Sequence, residues 1–338
     1  MSTTASTPAR EIERGPVRRG LALFVTAGLV AVGLAACASV PDQCVVEPGS
    51  ASKLVSAKGD FGREPDVDFP TPLKAEKTQR STIIEGHGDP LQAGQKIEAD
   101  IALYDGTTGD LLTKSDYDGT SLLALTLGAQ TLPGLAKGLQ CVRPGSRVAL
   151  AIAPDDAFGP QGGNPMLGVG ENDTLVAVVD VRKAFLPRAD GAPQPVPPGL
   201  PHVVLAPNGQ PGITVPSTTP PKKLEIATLR KGDGATVERG EAVTVHYTGV
   251  LWKDNSVFDS SWERGEPATF LAEDASKAPS DASVPGVIEG LADALVGAKV
   301  GSQLLVVVPP ELGYGSKGSG SVPGGATLVF VVDVLGVG

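Results

Sequence analysis

Five side chains in the C-terminal half of this 338-residue chain stand out as a set: Tyr247, Phe258, Asp259, Tyr314 and Phe330. Aromatic rings around a carboxylate can line an apolar pocket with a few polar groups. A repeat picks them out. Glu85-Gly86-His87-Gly88 aligns with Lys231-Gly232-Asp233-Gly234, and Gly94 with Gly240, at an offset of 146. Leu139, Gly145-Ser146, Pro154 and Phe158-Gly159 align with Leu295, Gly301-Ser302, Pro310 and Tyr314-Gly315 at an offset of 156. Thr174-Leu175-Val176 aligns with Thr327-Leu328-Val329 at 153. In these registers Tyr247 stands opposite Ile101, Phe258 opposite Leu112, Asp259 opposite Thr113, and Phe330 opposite Ala177. Glycines and strand residues persist while aromatic and polar positions diverge. One domain is written twice, and only the second copy carries a full site.

Other chemistries find no matching residues. His87, His202 and His246 lie far apart without metal-ligand spacing, and no Cys-x-x-Cys pair, serine elbow or Walker sequence occurs. Gly313-Tyr314-Gly315-Ser316-Lys317-Gly318 matches the glycine pattern of a dinucleotide loop. However, Pro309-Pro310 precede it, and Ser319 to Gly325 follow where a helix should start, so it reads as a turn. No metal or cofactor is expected. A net charge of −10 without a Lys/Arg stripe argues against a nucleic-acid partner. With 41% hydrophobic residues both copies can build cores, while 43 glycines and 30 prolines favour turns and short strands over long helices.

Residues 1–36 read as an export signal. Arg14, Arg18 and Arg19 precede an apolar run from Leu21 to Leu34 that ends in Leu34-Ala35-Ala36-Cys37. The 14-residue run is short for a membrane span, which needs roughly 20 residues. Leu-Ala-Ala-Cys resembles a bacterial lipobox, which would make Cys37 a lipidated N-terminus on the extracytoplasmic side of the cell membrane; secretion with a bystander cysteine is the alternative. Arg18-Arg19 leaves Sec and twin-arginine export both open. Cys44 and Cys141 then form an even pair in an oxidising compartment and are expected to bridge, with two free thiols as the alternative. The closed loop would span 97 residues, for which chain entropy gives roughly 4–5 kcal/mol.

Five segments follow: a signal at 1–36, a tether and lead-in segment at 37–79, a first domain at 80–186, a Pro-rich linker at 187–221 and a second domain at 222–338. The linker holds about a third of the 30 prolines and reads as a semi-rigid spacer. Val203-Val204-Leu205 and Ile213-Thr214-Val215 within it could pair as a hairpin around Pro207-Asn208-Gly209. In the second domain Ala242 to Val250 has β-branched alternation, and Gln303–Val308 and Ala326–Leu335 are apolar runs. One short helix is expected over Ile288–Val296, stopped by Gly297. Strands with one short helix make an α+β domain, an antiparallel sheet wrapped around that helix.

The second copy resembles the FKBP-type peptidyl-prolyl cis-trans isomerases. The matching residues are Val243-Thr244-Val245-His246-Tyr247-Thr248-Gly249, Val257-Phe258-Asp259-Ser260-Ser261, Val287-Ile288-x-Gly290-Leu291, Val300-Gly301-Ser302, Pro309 to Gly315, and Ala326-Thr327-Leu328-Val329-Phe330. With the lipobox and cysteine pair, the whole chain resembles actinobacterial lipoproteins with tandem FKBP domains. The resemblance implies two FKBP-like α+β domains and a pocket for the substrate proline made by Tyr247, Phe258, Asp259, Val287, Ile288, Leu291, Tyr314 and Phe330. Arg264 would orient Asp259, and the Ile288 N–H would bind the carbonyl that follows the proline. Its implied partners are proline-containing peptides and unfolded exported proteins, with macrolide inhibitors as candidate ligands.

The physical reading agrees. Turning an X–Pro bond twists an amide against about 18–20 kcal/mol, and a dry pocket disfavours the planar, more dipolar form. Two positions depart from the family: Leu291 stands where a Trp floor is common, and Ala268 replaces a flap aromatic. They keep open a second reading, a non-catalytic peptide- or protein-binding lipoprotein. Ala272–Ser283 reads as an inserted mobile flap, and Trp252 and Trp262 as rim contacts or partly buried residues. The first copy is expected to fold with little or no activity, since Ile101, Leu112, Thr113 and Ala177 replace the pocket and Phe158 lacks the Tyr314 hydroxyl.

Overall fold

The computed structural model describes Cys44 and residues 46–338. Residues 1–36 and Cys37, the expected signal and lipidation site, lie outside the described residues. The chain opens with a small hairpin, β1 (Ser56–Lys58) and β2 (Asp66–Asp68). The first domain follows as β3 (Gln79–Ile84), β4 (Lys96–Asp105), β5 (Leu111–Lys114), β6 (Leu123–Thr126), α1 (Pro133–Leu139), β7 (Arg147–Ile152) and β8 (Leu175–Ala184). Its antiparallel sheet runs β3-β7-β8-β4-β5, with β6 also on β4. A two-residue strand β9 (Ala192–Pro193) and a hairpin, β10 (His202–Leu205) with β11 (Pro211–Thr214), fill the linker. The second domain comprises β12 (Glu225–Lys231), β13 (Ala242–Leu251), β14 (Val257–Ser260), α2 (Ser261–Arg264), β15 (Ala268–Leu271), α3 (Glu289–Leu295), β16 (Gln303–Val308) and β17 (Leu328–Val337). Its sheet runs β14-β13-β17-β16-β12-β9, with β15 on β13. Mostly antiparallel strands and three helical segments make an α+β fold present twice.

The apolar runs are explained by burial on both faces. Alternate residues of a strand point to opposite sides of its sheet. In β16, Leu304, Val306 and Val308 join the core around α3, while Leu305 and Val307 pack on the outer face. In β7, Val148, Leu150 and Ile152 face α1, while Ala149 and Ala151 face outward. The outer faces are covered by the segments that precede each domain. Ala51, Val55, Ala57, Leu73 and Ala75 cover the first sheet, and Leu200, Val203, Ile213 and Val215 cover the second.

Residues 187–221 are therefore a packed cover rather than a spacer, because two-sided apolar strands need a second layer. Residues 46–79 do the same for the first domain and are more than a tether. Matched carboxylates pin both covers. Asp180 accepts the Gly62 N–H (2.6 Å) and pairs with the buried Arg147 guanidinium (2.6 and 2.8 Å). Its counterpart Asp333 accepts the Ala189 N–H (2.8 Å) and the amide of Gln303 (2.7 Å). Cys44 and Cys141 are joined, with Cα atoms 5.6 Å apart, which fastens the described N-terminus beside the end of α1.

Candidate active site

The pocket forms on the face of β13 that packs towards the helix Glu289–Leu295, α3. Tyr247 points inward with Val243 and Val245 and is 6% exposed. Two residues on, Gly249 pairs with Asp259 of β14 on one side and Phe330 of β17 on the other. A Cβ at Gly249 would stand 2.6 Å from Cζ of Phe258, so the missing side chain makes room for that ring. Phe258 meets Phe330 edge to face, centroids 5.5 Å apart, and Tyr247 is tilted against Phe330 at 6.5 Å. Phe270 of β15 adds a further ring 5.9 Å from Tyr247.

The polar edge is a three-residue network. The Tyr247 hydroxyl donates to Oδ2 of Asp259, and the Arg264 guanidinium pairs with Oδ1. Arg264 Nη2 also donates to the Tyr247 oxygen (3.0 Å), and its guanidinium lies 5.6 Å from the Tyr247 ring centre. Burial, followed by the Asp259 hydrogen bond, pushes the Tyr247 phenol up to about 12, so it remains a donor at neutral pH. Burial works against the Arg264 charge, but its bonds to Tyr247 and Asp259 leave it above the ordinary arginine value. Ser261 sets this geometry: its hydroxyl accepts the Tyr247 N–H (2.8 Å) and pairs with His246 Nδ1 (2.9 Å), tying the start of α2 to β13.

Helix α3 supplies the floor. Gly290 lets it approach the sheet, since a Cβ there would lie 2.6 Å from Val308 Cγ1. Val287 and Leu291 join the same core as Tyr247 and Phe330, and Ile288 packs against it at the helix N-cap. The Ile288 N–H makes no hydrogen bond among the described residues. Tyr314 follows a 3₁₀ turn, Pro310–Leu312, and stands at the rim, 38% exposed. Burial and then the Asp259 charge raise its phenol. Of the nine residues singled out in the second copy, eight share the core or the polar network around Tyr247, while Tyr314 stands at the rim within reach of the Asp259 charge. Gly249, Ser261 and Phe270 complete the site and were not singled out; for Phe270, the strand alternation with Ala268 was the available signal.

Other expectations change. Trp252 is 7% exposed and donates its indole N–H to Thr218 O (3.0 Å), so it anchors the cover and is no rim residue. Trp262 stacks on His246 at 4.0 Å on the outer side. The inserted 272–283 stretch is tied at its base, with Ala275 N–H donating to Val287 O and Val287 N–H to Glu273 O. A cleft of about 460 Å³ opens elsewhere, between the proline run and β12. Its walls are mainly Pro, Val and Leu, with His202 and Arg230 its only titratable side chains. It assembles no reactive set, whereas rings, a carboxylate and a guanidinium meet around Tyr247.

The first domain repeats the register without the pocket. Leu103 occupies the position of Gly249, pairing with Thr113 and Ala177. It is buried with Ile101 in the first core, against which Leu112 and Phe158 pack. A side chain thus fills the space that Gly249 leaves open, and Thr113 supplies no carboxylate.

Two sheets, each wrapped on one short helix, one with an aromatic pocket edged by carboxylate and phenols, define a protein of the prolyl-isomerase class. The sequence model of the FKBP-type peptidyl-prolyl cis-trans isomerases matches residues 89–182 and 234–335, and the chain belongs to that family. It is similar to a "Probable FK506-binding protein" of Corynebacterium glutamicum, 36% identical over 126 residues, covering 37% of this chain and 97% of the relative. An FK506-binding protein of Streptomyces anulatus is 34% identical over 130 residues, covering 38% and 97%. The FKBP-type 22 kDa peptidyl-prolyl cis-trans isomerase of Escherichia coli is 43% identical over 113 residues, covering 33% of this chain and 48% of that protein.

Proposed function

We propose that the second domain performs the isomerisation, on proline-containing segments of exported proteins, at the outer face of the membrane. The observation that carries the assignment is the Tyr247–Asp259–Arg264 network beside the Phe258–Phe330 pair, set against Leu103, Thr113 and Ala177 in the first domain. The proline ring would sit over Leu291 between the aromatic walls. The Ile288 N–H and Tyr314 hydroxyl would hold flanking carbonyls, and the apolar walls would favour the twisted, less dipolar amide. Asp259 holds Tyr247 and Arg264 in place; its charge is shared with both and is not needed as a base. Leu291 and Ala268 leave the floor and flap smaller than rings would, which should change substrate preference or lower activity. Macrolides of the kind named for the two FK506-binding relatives would compete for the same walls. Substituting Asp259→Leu in the full chain should lower kcat/KM on a proline tetrapeptide by about tenfold to a hundredfold; an unchanged value would remove the pocket assignment.

Anchoring rests on the basic start, the apolar run and Cys37, and the Cys44–Cys141 bridge suits an oxidising compartment. Cys37→Ser expressed in an actinobacterial host should shift the protein from the membrane fraction to the medium. Retention in the membrane would contradict lipidation at this cysteine.

A further inference from the structure

The first domain lacks a pocket, yet it grips the strand that walls the pocket of the second. Lys96, at the start of β4, reaches across and donates to Thr269 Oγ1 of β15 (2.7 Å) and Thr244 Oγ1 of β13 (3.3 Å). These threonines are cross-strand partners bonded to each other at 3.0 Å. Strand β15 has four residues and pairs with β13, and Leu271 N–H at its end donates to Pro285 O (2.9 Å). Thr269 points away from the face on which Ala268 and Phe270 border the pocket, so the lysine holds the strand from behind.

Two further contacts bear on the same region. Gly94 and Gly128 of the first domain approach the carbonyl of Gly265, the residue after Arg264; a Cβ at either would stand 3.4 or 3.7 Å from it. Phe185, 1% exposed, lies against Gly336 of β17, with the ammonium groups of Lys96 and Lys183 4.9 and 4.7 Å from its ring centre. Leu186 N–H donates to Leu335 O (3.0 Å) and Lys183 to Val337 O (2.7 Å), continuing the junction along β17.

We propose that the first domain is a brace for the isomerase pocket, with Lys96 as its positioning residue. By fixing β15 it sets Phe270 and Ala268 against Tyr247, and the glycine contacts seat the end of α2 that presents Arg264. Peptide binding by the second domain then depends on the first. The proposal rests on the pocket assignment made above. The test is steady-state isomerisation of a proline tetrapeptide by the full chain, comparing wild type with Lys96→Met, Lys96→Arg, Thr269→Val and Asp259→Leu. Hydrogen exchange over residues 268–271 is followed in parallel.

Lys96→Met and Thr269→Val should each raise KM by about fivefold to tenfold with kcat within about twofold, and quicken exchange in β15. Lys96→Arg should restore KM. A lowered melting temperature with unchanged KM in both variants would overturn the brace while leaving the pocket standing. A wild-type rate from Asp259→Leu would overturn the pocket assignment and the brace with it.

Discussion

Gly249 decides more than its size suggests. In the second domain it leaves space that the Phe258 ring covers, and in the first Leu103 fills that space. The offset of 146 is also the strand register of Tyr247 and Asp259, and Phe330 follows at 153, so these three are legible in the sequence as the unshared set. The glycine was not legible, because its effect lies in what a neighbour may do. Residue scale also governs pH dependence. Burial, then the Arg264 charge, pulls His246 down to about 4. Its contribution to stability is therefore full above its ordinary value near 6.5 and lost as pH falls through 4. Burial raises Asp333 to about 6, despite bonds from Ala189 and Gln303. Its contribution is full below the ordinary carboxylate value and lost as pH rises through 6. Between these limits the two oppose each other, each worth about 3 kcal/mol. Asp333→Asn should therefore lose more stability than wild type between pH 6.5 and 4.5 in urea titrations. Equal pH slopes would mean that Asp333 does not titrate as described.

Among elements, the segments before each domain depart most from the reading of the sequence. The prolines of residues 187–221 suggest a spacer, since proline favours extended chain, and residues 37–79 read as a tether. The corrective signal lay in the strands. Gln303–Val308 and Leu328–Leu335 are apolar at nearly every position, and an antiparallel strand of that kind needs cover on both faces. The β10–β11 hairpin and α3 were legible from turn residues and helical spacing; what they pack against was not. Trp252 gives the cover its largest anchor, closed by the bond to Thr218. Trp252→Ala should cost about 3–5 kcal/mol by urea denaturation of the full chain. A loss near zero would show that residues 187–221 do not pack on the second sheet.

Across the whole molecule, the repeat is longer than the family fold. Each unit begins with a cover segment, pins it through Asp180 or Asp333, and ends on a strand buried on both faces. Divergence falls on the helix-side face of the sheet and its edge, where rings and a carboxylate give way to aliphatic residues and a threonine in the first copy. On the proposals made above, the second copy does the chemistry and the first holds it, through contacts such as Lys96 to Thr269 that no repeat pattern could reveal because they join unlike positions. The most direct measurement is the cis–trans exchange rate of a proline tetrapeptide, followed without protease, with the full chain carrying Asp259→Leu and Tyr314→Ala together. The two first-domain substitutions Thr113→Ala and Phe158→Ala serve as the comparison. The second-domain pair should bring exchange close to the uncatalysed rate while the first-domain pair keeps the wild-type rate. Wild-type exchange from the second-domain pair, or its loss from the first-domain pair, would contradict a single working pocket around Tyr247.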